Sequence, residues 1–190
     1  MKKSLIVLSM LLVLTSGCAF TPQTAALKPD IQTTIPSVGN GRTVFLNVAD
    51  ERPRSTLGTR GAGMGADITV QGDLKNIVET AIANGLQSQG FEITFDKPSD
   101  SRELRVEIRN LDYRVTLGFF VDTLRTECGL KAVCIIGSNR PYEHLYLGEH
   151  QESLMVYPSA EANEKYLNIA LSKAINSLLQ DPLLIQSLTQ

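Results

Sequence analysis

Leu104-Arg105-Val106-Glu107-Ile108-Arg109 decides the fold, because its apolar and charged residues alternate without a break. A period of two indicates a β-strand with one face toward a core and the other toward water. Beyond this stretch the apolar residues move to odd positions, from Leu111 to Leu117. A slip of one residue predicts a β-bulge near Arg109 and Asn110.

The pattern on either side of this strand predicts a small set of further elements. Strands are predicted over residues 43–48, 91–95, 130–136 and 144–156, and helices over 73–89, 160–179 and 183–188. Asp73 suits the N-cap of the first helix, and Gly90 suits the position after its end. The order predicts an α+β fold, a two-layer sandwich with helices on one face of a mostly antiparallel sheet. The strands that flank the first helix should be parallel, by a right-handed crossover.

The beginning of the chain resembles a bacterial export signal. Two lysines precede an apolar run from Leu5 to Leu14, which has about half of the roughly 20 residues that a membrane-spanning helix needs. Apart from Thr15, the residues before Cys18 fit the lipobox of lipoprotein precursors. We therefore predict that residues 1–17 are removed and that Cys18 carries lipid. The alternative is a plain signal peptide in which the cysteine falls at this place by chance.

Residues 18–42 are predicted to be a lipidated N-terminus followed by a flexible linker, and residues 43–190 a single domain. The linker is rich in Pro, Gly, Thr and Gln and has no sustained apolar period. Ala19 takes the place where an aspartate would retain an enteric-type lipoprotein at the inner membrane. We therefore expect an outer-membrane, periplasm-facing protein. Each buried methylene contributes about 0.8 kcal/mol, so the acyl chains would hold it to the membrane.

Charge and motifs exclude several classes of function. The formal net charge is -2 and basic residues do not cluster, which argues against nucleic-acid binding. His144 and His150 lie too far apart on one predicted strand to share a metal ion, and no nucleophile motif occurs. The glycine run of residues 61–66 lacks the adjoining strand and helix that a phosphate loop requires, so we expect a surface loop. We predict a non-enzymatic protein with no metal and no cofactor besides the lipid.

Two pairs of residues are candidates for more specific roles. Cys128 and Cys134 form a possible disulfide in an oxidising compartment, although a bridge over this spacing needs a turn, for which Gly129 is available. The alternative is two buried thiols. Asp50 and Arg52 follow the first strand and form a possible contact loop; the alternative is an ion pair that closes a turn.

The chain resembles the YajG family of Gram-negative envelope lipoproteins over nearly its whole length. The resemblance includes the signal with Cys18, the first strand ending at residues 49–52, residues 131–136, and the final helix with residues 174–179. It implies lipidation and an envelope location, and it implies no reaction or cofactor. The cysteine pair does not belong to the family pattern.

These observations lead to two functional hypotheses. The first is a lipoprotein that binds another envelope component, a protein or a lipid, through its α+β domain. The alternative is an accessory lipoprotein of a transport system that carries a lipid or another hydrophobic ligand; it would need a deep apolar pocket between sheet and helices.

Overall fold

The computed structural model describes residues 21–32, 37–62, 65–96 and 102–190, which form an α+β domain with a curled sheet and three helices. The strands are β1 Gln23–Ala25, β2 Thr43–Asp50, β3 Gly58–Thr59, β4 Asp67–Val70, β5 Glu92–Thr94, β6 Arg102–Thr116, β7 Asp122–Ile136 and β8 Asn139–Leu154. The helices are α1 Leu74–Ser88, α2 Ala160–Leu179 and α3 Pro182–Thr189. The α+β class predicted from the sequence is confirmed.

The sheet is mixed and half-barrel in form, so the predicted two-layer sandwich with a mostly antiparallel sheet is wrong. Strand β6 lies at its centre and pairs antiparallel with β7, which pairs antiparallel with β8. On its other side, β6 pairs parallel with β2 and, nearer its end, with β3. The parallel β2–β5 pair on either side of α1 was predicted. The alternation within residues 91–95 did not reveal that β5 pairs with the edge of β2 opposite to the one that pairs with β6.

The predicted bulge and the predicted helix caps are present. The β6–β7 register shifts between Ile108 and Asn110, as the slip in the alternation indicated. Asp73 caps α1 by accepting a hydrogen bond from the backbone N–H of Lys75 at 2.9 Å. Gly90 follows that helix with a φ of 84°, which a residue with a side chain rarely adopts.

A single core lies between the sheet and the helices. Its members are almost all aliphatic and almost fully buried, among them Val44, Leu46, Ile82, Leu86, Leu104, Ile108, Leu130, Leu167, Leu171 and Leu178. Gly148 on β8 allows α2 to pack closely, because a Cβ there would lie 2.0 Å from the carbonyl oxygen of Ala170. The first turn of α2 therefore lies at the same end of the sheet as the end of β8.

Residues 21–32, which we call the strap, are part of the folded domain. The sequence assigned them to a flexible linker, but residues 23–25 form β1, which pairs with β4, and Ala25 and Leu27 are buried. The isolated apolar residues of this segment are the ones that face the core. The linker prediction is therefore wrong for the strap.

Candidate membrane-facing end and contact face

The strap is attached to α2 through a row of polar side chains at four-residue intervals. The backbone N–H groups of Lys28, Asp30 and Gln32 donate to Asn168 Oδ1, Ser172 Oγ and Asn176 Oδ1 at 2.6, 2.8 and 2.9 Å. The side-chain amides of Asn168, Asn176 and Gln180 donate back to the carbonyls of Ala26, Asp30 and Gln32.

The spacing of these side chains along α2 matches the spacing of alternate backbone groups along the strap. Four helical residues advance by about 6.0 Å, and two extended residues advance by about 6.6 Å. One face of α2 therefore satisfies alternate backbone groups of the strap, as a neighbouring β-strand would.

The beginning of the strap is fixed by a buried polar network. Asn163 is fully buried; its side-chain amide donates to Gln23 Oε1 at 2.9 Å, and its Oδ1 accepts from the Tyr113 hydroxyl at 2.7 Å. Burial raises the pKa of Tyr113, so this hydroxyl remains a neutral donor. Gln23 also donates to the carbonyl of Ala160 at 2.7 Å. This network joins β1, β6 and the first turn of α2.

The pairing of the strands shows where the strap enters the domain. Gln23 pairs with Ile68, Ile68 with Gly58, and Gly58 with Tyr113, so Gln23 and Tyr113 lie at one level of the sheet. Because β1 runs opposite to β6, the chain before Gln23 points toward the C-terminal end of β6. Thr21, whose carbonyl accepts a hydrogen bond from the Arg60 guanidinium at 3.2 Å, therefore lies toward that end.

The same end of the sheet carries an exposed apolar surface, which we call the apolar tip. It consists of residues 117–121, between β6 and β7, and residues 155–157, after β8; the two segments are adjacent because Asp122 pairs with Leu154. Phe119 and Phe120 are 93% and 89% exposed. The other exposed apolar members are Leu117, Val121, Met155, Val156 and Tyr157. An exposed patch of large apolar side chains marks an interaction surface.

A second candidate surface lies on the face of β6, β7 and β8 that the helices do not cover; we call it the ladder face. Leu145 and Leu147 on β8 are about half exposed and lie beside Lys131 and Gly129 of β7. Ion pairs surround them: Lys131–Glu143 at 2.7 Å, Arg125–Glu149 at 2.6 Å and Arg109–Glu107 at 3.0 Å. The two leucines border a shallow concavity of about 720 Å³, together with the charged residues Lys131, Glu143 and Arg109. An apolar centre within a charged rim is the usual anatomy of a protein–protein interface.

Asp50 and Arg52, the predicted contact loop, bind each other. The Arg52 guanidinium donates to both carboxylate oxygens of Asp50, at 2.9 and 2.8 Å, and its side chain is only 7% exposed. This hydrogen bond holds the pKa of the Asp50 carboxyl below its usual range. The geometry is that of an ion pair closing a turn. Glu51, which lies between Asp50 and Arg52, forms an ion pair with Arg109 at 3.3 Å and so borders the ladder face.

Cys128 and Cys134 are both free and buried, so the possible disulfide is wrong for this structure. They lie six positions apart on the continuous strand β7, a separation of about 20 Å. Gly129 does not turn the chain; it lies opposite Asn110 at the bulge. Burial raises the pKa of the Cys128 thiol to about 12, which makes it unreactive.

The remaining predicted site residues are placed as follows. Cys18 lies outside the described residues. His144 and His150 both lie on β8, and the ring of His150 stacks on Tyr166. Within the described ranges, no group of three or more His, Cys, Asp or Glu side chains could hold a metal ion. None of the helices that the structure describes is both long enough and apolar enough to cross a bilayer.

Neither the strap attachment nor the apolar tip was recognised from the sequence as a site. The tip has a local signal, because five consecutive residues without charge, Leu117 to Val121, are unusual in a turn between strands. The strap has a weaker one, the polar residues at four-residue intervals on the predicted final helix. Nothing in that spacing says what the row would bind.

Comparison with known proteins identifies the family and the fold. A family model described as uncharacterized lipoprotein matches residues 29–189. A search of curated proteins found no match. A crystal structure from Xanthomonas campestris, of the DUF330 family, is similar with a TM-score of 0.58 at 12% identity, covering 87% of this chain and 96% of that one. A minor lipoprotein from Acinetobacter baumannii has a TM-score of 0.50 at 10% identity, covering 76% and 91%. At these identities the likeness concerns the fold.

Proposed function

We propose a function for this chain, which belongs to that family of uncharacterized lipoproteins. It is a non-enzymatic outer-membrane lipoprotein that binds another envelope protein. Acyl groups on Cys18 anchor it, and the domain faces the periplasm. The observation that carries the proposal is the strap: Thr21, three residues after Cys18, is already hydrogen-bonded to Arg60, and residues 28–32 are hydrogen-bonded along α2. The domain is thus held close to its anchor.

The ladder face is the surface that we assign to the partner. It combines exposed leucines at its centre with charges whose pairing fixes their positions, which favours a protein partner of complementary charge. The carrier alternative gains no support from the described part of the chain, whose side chains between sheet and helices form one buried core. The concavities bordered by the strap lie outside that core.

The anchor is tested by metabolic labelling with palmitate. We expect palmitate label on the wild-type chain and none on a Cys18→Ser variant. Unlabelled wild-type protein would contradict the lipid anchor.

The partner surface is tested by a photo-crosslinker placed at residue 147 in intact envelopes. We expect a discrete crosslinked product that disappears when Leu145 is also replaced by Arg. Leu183, an exposed leucine on α3, provides the matched control position. The same product from residue 183, or none from residue 147, would show that the ladder face does not bind the partner.

A further inference from the structure

We propose that the apolar tip inserts into the bilayer surface and provides a second, non-covalent membrane contact that sets the orientation of the domain. This inference rests on the lipid anchor at Cys18 proposed above. It assigns a ligand, the acyl region of a phospholipid membrane, to the apolar tip, whose exposure the lipid on Cys18 does not by itself explain.

The length of chain before the strap identifies the membrane as the occupant of the tip. Only three peptide units separate Cys18 from Thr21, and they span at most about 11 Å. Thr21 lies beyond Gln23 in the direction of the C-terminal end of β6, and β6 ends at Thr116, one residue before the tip. A membrane that holds acyl groups on Cys18 is therefore brought to the end of the domain where the tip is exposed.

The chemistry of the tip suits the region between lipid headgroups and acyl chains. Residues 117–121 and 155–157 contain no charged side chain, and they combine two phenylalanines with aliphatic residues and a tyrosine. Such side chains bury about 5–10 Å into the headgroup and acyl boundary. Because burial of apolar surface provides the attraction, the contact should form on uncharged zwitterionic membranes and depend little on salt.

A membrane at the tip also fixes the position of the ladder face. The strands β6, β7 and β8 all have one end at the tip, so their axes point away from the bilayer. Leu147 lies seven residues before Leu154 on β8, a distance of about 23 Å along the strand. The ladder face is then presented to the periplasm above the headgroups.

Single tryptophan variants test the insertion directly, because the chain contains no tryptophan. The protein is the chain from residue 19, which contains every described residue but no acyl group, and the probe is a phosphatidylcholine vesicle. We expect the emission of a Phe120→Trp variant to shift to the blue with vesicles and to be quenched by brominated acyl chains. The control is Phe95→Trp, an exposed phenylalanine 56% accessible in the segment after β5, whose emission should not change.

A sedimentation assay with the same vesicles measures the strength of the contact. Each inserted phenylalanine contributes about tenfold to partitioning, so Phe119→Ser with Phe120→Ser should reduce binding about 100-fold, and Phe95→Ser should have no effect. Unchanged emission of Phe120→Trp on vesicles would overturn the proposal. So would a blue shift that appears without vesicles as protein concentration rises, since it would assign the tip to a second copy of the chain.

The two proposals fail separately. If the wild-type chain takes up no palmitate while the Phe120→Trp variant still inserts into vesicles, the lipid anchor is refuted and the tip contact is supported. Normal labelling without insertion would refute the tip contact alone.

Discussion

The strap, which begins at the end of the molecule that carries the apolar tip, and the tip itself contradict a simple expectation about hydrophobicity. Half of the residues in the strap are polar, yet it is bound to the domain along its length. The tip is almost wholly apolar, yet Phe119 and Phe120 contact little of their own chain beyond each other, with ring centroids 4.7 Å apart. The comparison teaches that burial follows the availability of a geometrically matched partner. The row of side chains on α2 provides that partner for the strap.

Substitutions that release the strap should lower the free energy of unfolding more than substitutions in the tip. Replacing both Asn168 and Asn176 by Ala removes four hydrogen bonds to its backbone, and we expect a loss of about 3 kcal/mol in the free energy of unfolding. Urea unfolding measures this loss, and hydrogen exchange should become faster at the amides of residues 28–32. Asn84→Ala, an exposed asparagine on α1, is the control for the gain in helix propensity. Unchanged exchange in the strap would show that these side chains do not hold it.

The buried network at the start of the strap should come next. Asn163→Ala leaves the Tyr113 hydroxyl without its acceptor and Gln23 Oε1 without its donor, and we expect a loss of about 2 kcal/mol in the free energy of unfolding. Adding Tyr113→Phe removes the orphaned hydroxyl, so the double variant should lose less than the sum of the two single changes. Strict additivity in that thermodynamic cycle would argue against a coupled network.

The Asp50–Arg52 pair is an intermediate case, polar and closed on itself. Asp50→Asn removes the charge partner of the nearly buried Arg52, and we expect a loss of about 1 kcal/mol at pH 7. The pKa of Asp50 is lowered in the folded state, so its contribution is present above the ordinary value of 3.8 and is lost as pH falls through the folded-state pKa. The two proteins should therefore converge in acid. Asp67→Asn, at an exposed carboxylate, is the control and should change the free energy of unfolding little at pH 7.

The tip should show the smallest effect on folding. Phe119→Ser together with Phe120→Ser should change the free energy of unfolding by no more than about 0.5 kcal/mol, because neither side chain is buried. Phe91→Ser, at a phenylalanine that is 3% exposed, should cost several times more, about 3 kcal/mol. Thermal or urea unfolding of the three proteins compares them. A large loss at the tip would mean that it stabilises the fold instead of serving as a contact surface.

Local patterns in the sequence predicted the parts of the fold that local patterns determine. The bulge at Asn110 follows from a change of phase within one strand, and α1 follows from its apolar stripe between Asp73 and Gly90. To predict the strand order, one must know on which side of β2 each later strand pairs. The alternation of apolar residues within a strand carries no information about this. The strap depends on α2, about 140 residues away, and only a matched spacing of two distant segments could reveal it.

The candidate site was predicted in the same uneven way. Cys18 was identified from a short motif whose chemistry requires a thiol, and it remains a prediction. Asp50 and Arg52 were singled out correctly as a pair, but Arg52 is turned inward. The cysteine spacing permitted a bridge, and the continuous strand β7 separates the two thiols because both are members of one alternating core face.

The direction of the strap has a mechanical consequence. It enters the domain at the end that carries the apolar tip and then runs away from that end, parallel to α2, so a pull on the N-terminus acts along its axis. The three residue pairs of β1 with β4 and the hydrogen bonds to α2 would all be loaded at once, in shear, instead of being opened one after another. In the proposed arrangement, with acyl groups on Cys18 and a partner on the ladder face, such forces would arise whenever membrane and partner move apart, and the strap would resist them.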